Sequence, residues 1–267
     1  MASIRPVQLI ADSLLLEVGQ SEVLVPAGSS PHHFSLKPSQ LKALYRADLV
    51  VWIGPSLEPF LQRPLQTSSA LQLQWLHDEA IDQIHEHDAG DGHQHAGLDP
   101  HIWLDPDAVL TFAARLRQQL QQLRPAQAEK IEQNYQRFVA TLSEADEYNR
   151  VLLQPLRNVG FVVFHDAFSR LVAHYGLNQV AYLAVEPGMP PGARKTAAIR
   201  RLLRSGDARC IFVEPQFEAG LITRLIDGLT VTTATLDPLA SDLAPEADYA
   251  VYLQQLGQRL QHCLSGI

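Results

Sequence analysis

The chain lacks any apolar run long enough to cross a membrane. Apolar runs such as residues 49–53 and 161–164 fall far short of the roughly 18 to 20 residues that a spanning helix needs. The chain also lacks an excess of basic residues, because it has 21 Lys and Arg but 29 Asp and Glu, which gives a formal charge of −8. Neither nucleic acid nor an anionic lipid surface is therefore a predicted partner.

Targeting signals and cysteine motifs are equally sparse. Residues 1–6 contain no charged segment followed by an apolar stretch, so no signal peptide is visible. The protein is then either cytoplasmic or a mature form whose leader has been removed. The two cysteines, Cys210 and Cys263, match neither a metal-binding spacing nor a CxxC redox motif.

The composition is that of a folded protein, because 46% of the 267 residues are hydrophobic and 19% are charged. Short β-rich runs alternate with helical patterns, which is typical of βα units and parallel sheets. In the first half we predict strands over 22–26 and 49–54, and helices over 38–47 and 105–123. In the second half we predict strands over 160–164, 180–185, 209–214 and 230–236, and helices over 168–175, 192–205, 219–229 and 248–264.

These elements predict an α/β fold with two lobes, over residues 1–123 and 157–267, each a parallel-type sheet flanked by helices. Between the lobes, residues 124–156 carry apolar side chains at alternating spacings of four and three, which predicts one long helix. Thirty helical residues span about 45 Å. The helix is either a rigid spacer between the lobes, which we prefer, or a core helix of a single domain. Its stripe comprises Ile131, Tyr135, Phe138, Leu142 and Ala145.

Eleven histidines are present, and four of them crowd a segment that has almost no apolar residues. This segment, about 85–97, is predicted to be a flexible loop. Imidazoles and carboxylates on such a loop can bind divalent metals weakly, without a fixed geometry. The alternative is a solvated loop that happens to be histidine-rich. The four histidines are His85, His87, His93 and His95.

Three other histidines, His32, His101 and His165, fall where strands and helices should connect. In open α/β sheets the ends of these elements line the ligand crevice. Each histidine taken singly is best interpreted as an ordinary loop residue. Their joint placement, two in the first lobe and one at the start of the second, favours a metal site in a cleft between lobes. By contrast, His77, His174 and His262 are interpreted as ordinary surface or amphipathic positions.

Five short motifs, in order along nearly the whole chain, carry a resemblance to a known family. The sequence resembles the zinc-binding component of bacterial zinc-uptake ABC transporters, the cluster A-I solute-binding proteins. The resemblance implies a periplasmic protein with two α/β lobes on one long rigid helix. It further implies a Zn²⁺ ion held in the cleft and delivered to a membrane permease. The motifs are residues 28–38, 99–101, 163–166, 213–217 and 235–239.

Carried over by position, the metal-binding histidines of the family correspond to His32, His101 and His165, with His33 as the alternative to His32. Some relatives add an acidic ligand just before the first histidine, where this chain has Pro31. The fourth ligand is therefore either Asp237, which matches a ligating aspartate in some relatives, or water. The family pattern also implies a disulfide between Cys210 and Cys263.

The donor set fits zinc, because three imidazoles and one oxygen complete a tetrahedron, whereas manganese and calcium prefer more oxygen ligands. The resulting expectation is a monomeric binding protein that carries out no reaction. One alternative is a secreted zinc hydrolase, with Glu186 or Glu214 as general base, although no HExxH motif or nucleophile elbow is present. The other alternative is a metal-binding adhesin on the same scaffold.

Overall fold

The computed structural model describes residues 1–76, 99–184, 191–215 and 219–266. The first lobe contains two parallel strands, in which Leu49 lies opposite Leu71. Within the described ranges, no helix is both long enough and apolar enough to cross a membrane. The elements up to the linking helix are α1 (Arg5–Leu15), α2 (Pro38–Leu44), β1 (Leu49–Trp52), α3 (Gln62–Thr67), β2 (Leu71–Gln74) and α4 (Pro106–Leu123).

The strand predicted over 22–26 is wrong. Only Val23 forms a bridge, with Ala2, which also bridges to Val51. The pairing is short because its partner is the N-terminal segment, which enters helix α1 at Arg5. Helix α1 itself was missed, although its buried residues Val7, Ile10 and Leu14 recur at helical spacing.

The second lobe contains a parallel sheet of four strands, β3 (Gly160–His165), β4 (Asn178–Ala184), β5 (Cys210–Val213) and β6 (Thr232–Thr235). Their order in the sheet is β4-β3-β5-β6. Alternate residues of β3 enter two different core clusters: Phe161 and Val163 join one, and Val162 and Phe164 join the other. The sheet is therefore buried on both faces, as parallel sheets generally are. The helices of this lobe are α6 (Ser169–Tyr175), α7 (Ala193–Ser205), α8 (Ala219–Ile226) and α9 (Tyr249–Ser265).

A long helix, α5 (Ala128–Leu153), connects the two lobes as predicted. It also packs against α1, α4 and α9, as expected of the alternative, a core helix. The predicted stripe is buried at Ile131, Phe138, Leu142 and Ala145, whereas Tyr135 is only partly buried. The apolar face of the helix therefore belongs to a core that is shared with both lobes.

The disulfide between Cys210 and Cys263 is confirmed, and it joins residues 53 positions apart. Cys210 lies in β5 and Cys263 in α9. The bond therefore fastens the last helix to the sheet of the second lobe.

Several residues singled out in the sequence lie outside the described residues. They are Glu186, His77 and the four histidines His85, His87, His93 and His95.

Candidate metal centre

The first lobe contributes His32 from a short 3₁₀ helix, Pro31–His33. Pro31 fixes the first position of this turn, and the side chain of Ser30 accepts a hydrogen bond from the backbone N–H of His32 at 3.3 Å. His32 is partly buried, whereas the neighbouring His33 is exposed. The turn therefore presents one of the two adjacent histidines to the interior.

His101, also in the first lobe, is 4% exposed and precedes a 3₁₀ turn, Ile102–Leu104. Its Nδ1 lies 2.8 Å from Oδ1 of Asp99, which also accepts the backbone N–H of His101 at 3.0 Å. An Nδ1–H donated to Asp99 leaves the lone pair of Nε2 facing the cleft, which is the arrangement usual for metal-binding histidines. Burial by itself would raise the pKa of Asp99, but the contacts from His101 hold it below its ordinary value.

The second lobe contributes His165, the last residue of β3, which is 2% exposed. Its Nδ1 lies 3.3 Å from Oε1 of Glu214, which directly follows β5. Both positions lie at the carboxyl edge of the parallel sheet, where ligand sites of such sheets occur. Burial, reinforced by the negative charge of Asp237 and opposed by His101, raises the pKa of Glu214 to about 8.

The three histidines converge although they are far apart in sequence. Their ring nitrogens include one set of atoms that all lie within 4.8 Å of one another. Nε2 of His32 and Nε2 of His101 are 3.4 Å apart, close to the edge of about 3.3 Å expected of a tetrahedron with Zn–N bonds of 2.0 to 2.1 Å. The ring centroids of His101 and His165 are 4.9 Å apart. The arrangement can hold one small cation with three imidazoles.

The electrostatic environment keeps the first histidine neutral. Burial, together with the neighbouring rings of His101 and His165, lowers the pKa of His32 to about 3. A metal-binding imidazole must be unprotonated. His32 is therefore ready to bind a cation at neutral pH without first losing a proton.

Asp237 is not part of this convergent set. It is 1% exposed and follows β6 by two residues. Its Oδ1 accepts the backbone N–H of Leu239 at 2.9 Å, and its Oδ2 accepts from the N–H and hydroxyl groups of Ser241. The pocket around the histidines is lined instead by the next residues, Pro238 and Leu239.

Two residues that close the site were missed in the sequence. Trp103 donates its indole N–H to the carbonyl of Pro238 at 2.7 Å and thereby joins the two lobes beside the histidines. Arg170 of α6 donates to the carbonyl of Asp99 at 2.8 and 3.1 Å. Neither has a distinctive sequence signal, because each contact joins positions far apart in the chain.

Comparison with known proteins agrees with this geometry. The family model for ZnuA, the periplasmic component A of the zinc-uptake complex, matches residues 1–263. The chain belongs to the ZnuA family. The high-affinity zinc uptake system protein ZnuA of Yersinia pestis is 34% identical, over 99% of this chain and 90% of the relative.

Solved structures of ZnuA relatives resemble the whole chain. A crystal structure of ZnuA superposes with a TM-score of 0.82 at 26% identity, covering 98% of this chain and 97% of the other. A zinc-bound ZnuA deletion mutant gives 0.81 at 25% identity, covering 98% and 96%. The two-lobe α/β architecture predicted from the sequence is thus that of the ZnuA family.

Proposed function

We propose that this protein is the periplasmic binding protein of a zinc importer. It captures Zn²⁺ between its lobes and delivers the ion to the membrane permease of an ABC transporter. The observation that carries the proposal is the convergence of three buried or partly buried histidines from two lobes. The names of the relatives, which are zinc uptake system proteins, support the same cargo.

The proposed ligands are His32, His101 and His165, and the fourth is Asp237 or water. Water suits the present arrangement, because both carboxylate oxygens of Asp237 already accept hydrogen bonds. Ligation by Asp237 would require its side chain to exchange those hydrogen bonds for the metal. Either oxygen donor completes a tetrahedral zinc site.

We propose no catalytic role for this site. Glu214, the described candidate for a general base, lies against the Nδ1 of His165, which is how a carboxylate orients a metal-binding imidazole. The relatives are named as uptake proteins and not as enzymes. We further propose that the protein is a monomer. Its lobes comprise residues 1–123 and 157–267, and residues 124–156 join them.

The test is a zinc competition titration against a chelator at pH 7.5. His101→Ala should weaken tight binding by at least about a hundredfold, because the remaining donors cannot complete the tetrahedron. His33→Ala is the matched control, since it removes the adjacent exposed imidazole and should leave the affinity unchanged. Unchanged affinity in His101→Ala would refute the assignment.

Two further variants refine the site. Asp237→Ala should have a smaller effect than His101→Ala if water can occupy the fourth position. Replacing the four histidines of the 85–97 segment by Asn should remove weak zinc equivalents and leave the tight one intact. Loss of tight binding in that variant would mean that the segment belongs to the primary site. The four histidines are His85, His87, His93 and His95.

A further inference from the structure

A second cluster of metal-binding side chains lies away from the three histidines. It consists of Asp105, Asp107 and His174, each of which offers one atom within 4.8 Å of the others. Asp105 caps helix α4 and Asp107 lies in its first turn, whereas His174 lies near the end of α6. The cluster therefore draws ligands from both lobes and shares no residue with the cleft site.

His174 is oriented by a third aspartate. Its side chain is 7% exposed, and its Nε2 lies 2.7 Å from Oδ1 of Asp146 on the linking helix. Nδ1 faces the other way, 3.5 Å from Oδ2 of Asp107. An Nε2–H donated to Asp146 leaves the lone pair of Nδ1 directed at Asp107. A carboxylate behind the imidazole is the usual outer partner of a metal-binding histidine.

The distances suit a small divalent cation. The separation of 3.5 Å between Nδ1 of His174 and Oδ2 of Asp107 is close to the edge of about 3.3 Å of a tetrahedral zinc site. Asp105 uses Oδ1 for both of its helix-capping hydrogen bonds, so Oδ2 is the oxygen available to the cation. One imidazole and two carboxylates form a donor set that zinc and its neighbours in the transition series accept.

The surrounding charges also favour a cation. Three aspartates, at 105, 107 and 146, face the imidazole, and the nearest positive group is Arg150. The guanidinium lies 3.3 Å from Nε2 of His174, on the side away from Asp107. It is also held by Asp146 at 2.9 Å and by Glu147 at 3.6 Å. The positive end of helix α4 opposes a cation, but the cap of Asp105 already occupies the N–H groups at that end.

We propose that Asp105, Asp107 and His174 form a second binding site for a divalent transition metal, with Asp146 as the positioning residue. The site connects the first lobe through α4, the second through α6 and the linking helix through Asp146. A bound ion would therefore hold the lobes together at a place outside the cleft. Because Asp107 is 81% exposed, this site should be weaker than the buried cleft site and should exchange metal more readily.

The test uses crystals of the full chain soaked in ZnCl₂, with anomalous difference maps at the zinc edge. We expect one peak at the cleft histidines and a second beside Nδ1 of His174. Asp107→Asn should abolish the second peak and retain the first. Asp48→Asn is the matched control, because it neutralises a similarly exposed carboxylate of the first lobe, and it should retain both peaks.

Solution titrations with zinc complete the test. Asp107→Asn should bind one fewer weakly held zinc ion per chain than the wild type. Asp48→Asn should bind the same number as the wild type. Asp146→Asn should weaken the binding of the weakly held ion about 10- to 100-fold, as loss of an outer-sphere carboxylate does. Absence of the second peak at saturating zinc, or its persistence at equal occupancy in Asp107→Asn, would overturn the proposal. Either result leaves the cleft peak as a separate measure of the primary function.

Discussion

Glu58 should make the stability of the protein depend on pH, although it lies outside both of the proposed metal sites. It has no exposed surface, and its Oε2 accepts the backbone N–H groups of Ile53 at 2.8 Å and Gly54 at 3.1 Å. These contacts fix the chain just after β1. Burial raises the pKa of Glu58 from 4.5 to about 7, although the neighbouring hydroxyl of Ser3 and the hydrogen bonds from the backbone oppose the shift.

The sign follows from proton linkage. Between pH 4.5 and 7 the folded state holds a proton on Glu58 that the unfolded state has already lost, so stability falls as the pH rises through this window. Because one pKa unit corresponds to about 1.4 kcal/mol, the loss between pH 5 and pH 8 amounts to about 2 to 3 kcal/mol. Gln keeps an oxygen to accept the two N–H groups and never ionises.

Glu58→Gln should therefore match the wild type at pH 5 and exceed its free energy of unfolding by about 2 to 3 kcal/mol at pH 8. The measurement is urea unfolding at several pH values, with Glu246→Gln as the control because Glu246 is exposed. Comparison of variants at each pH cancels the titration of all the other groups. A difference between Glu58→Gln and wild type that does not change with pH would refute the reasoning.

Two further predictions concern the second lobe and its last helix. Replacing Cys210 and Cys263 together by Ser should lower the free energy of unfolding by about 4 kcal/mol, on the chain-entropy estimate for a 53-residue separation. Denaturant unfolding measures this loss, and a value below about 1 kcal/mol would contradict the estimate. Gly257→Ala should destabilise by about 1 to 3 kcal/mol or more, because a methyl group would overlap the buried side chain of Asn149 where α5 and α9 approach. Gly220→Ala, at a position with no close neighbour, should cost nothing when both glycine variants are compared with wild type by denaturant unfolding.

Local patterns were enough to predict most of the second lobe. Strands β3 and β5 are short, apolar and bounded by turn residues, so they could be located to within a residue or two. The linking helix was equally clear because its buried face recurs at helical spacing. The first lobe was harder. The β-rich run at 22–26 bonds mainly to residues 1–3, and a strand cannot extend beyond its partner.

The sequence by itself singled out the three histidines that converge in the structure, His32, His101 and His165, because they lie at the ends of α/β elements and match the family motifs. The tertiary structure decided which neighbours control them. Asp99 lies two residues from His101, but Glu214 reaches His165 only because β3 and β5 are adjacent in the sheet. His174 was interpreted as an ordinary position, since its partners on α4 and α5 are 67 and 28 residues away in sequence. Side chains brought together by packing leave no spacing pattern in the chain, and so such sites emerge only from the folded molecule.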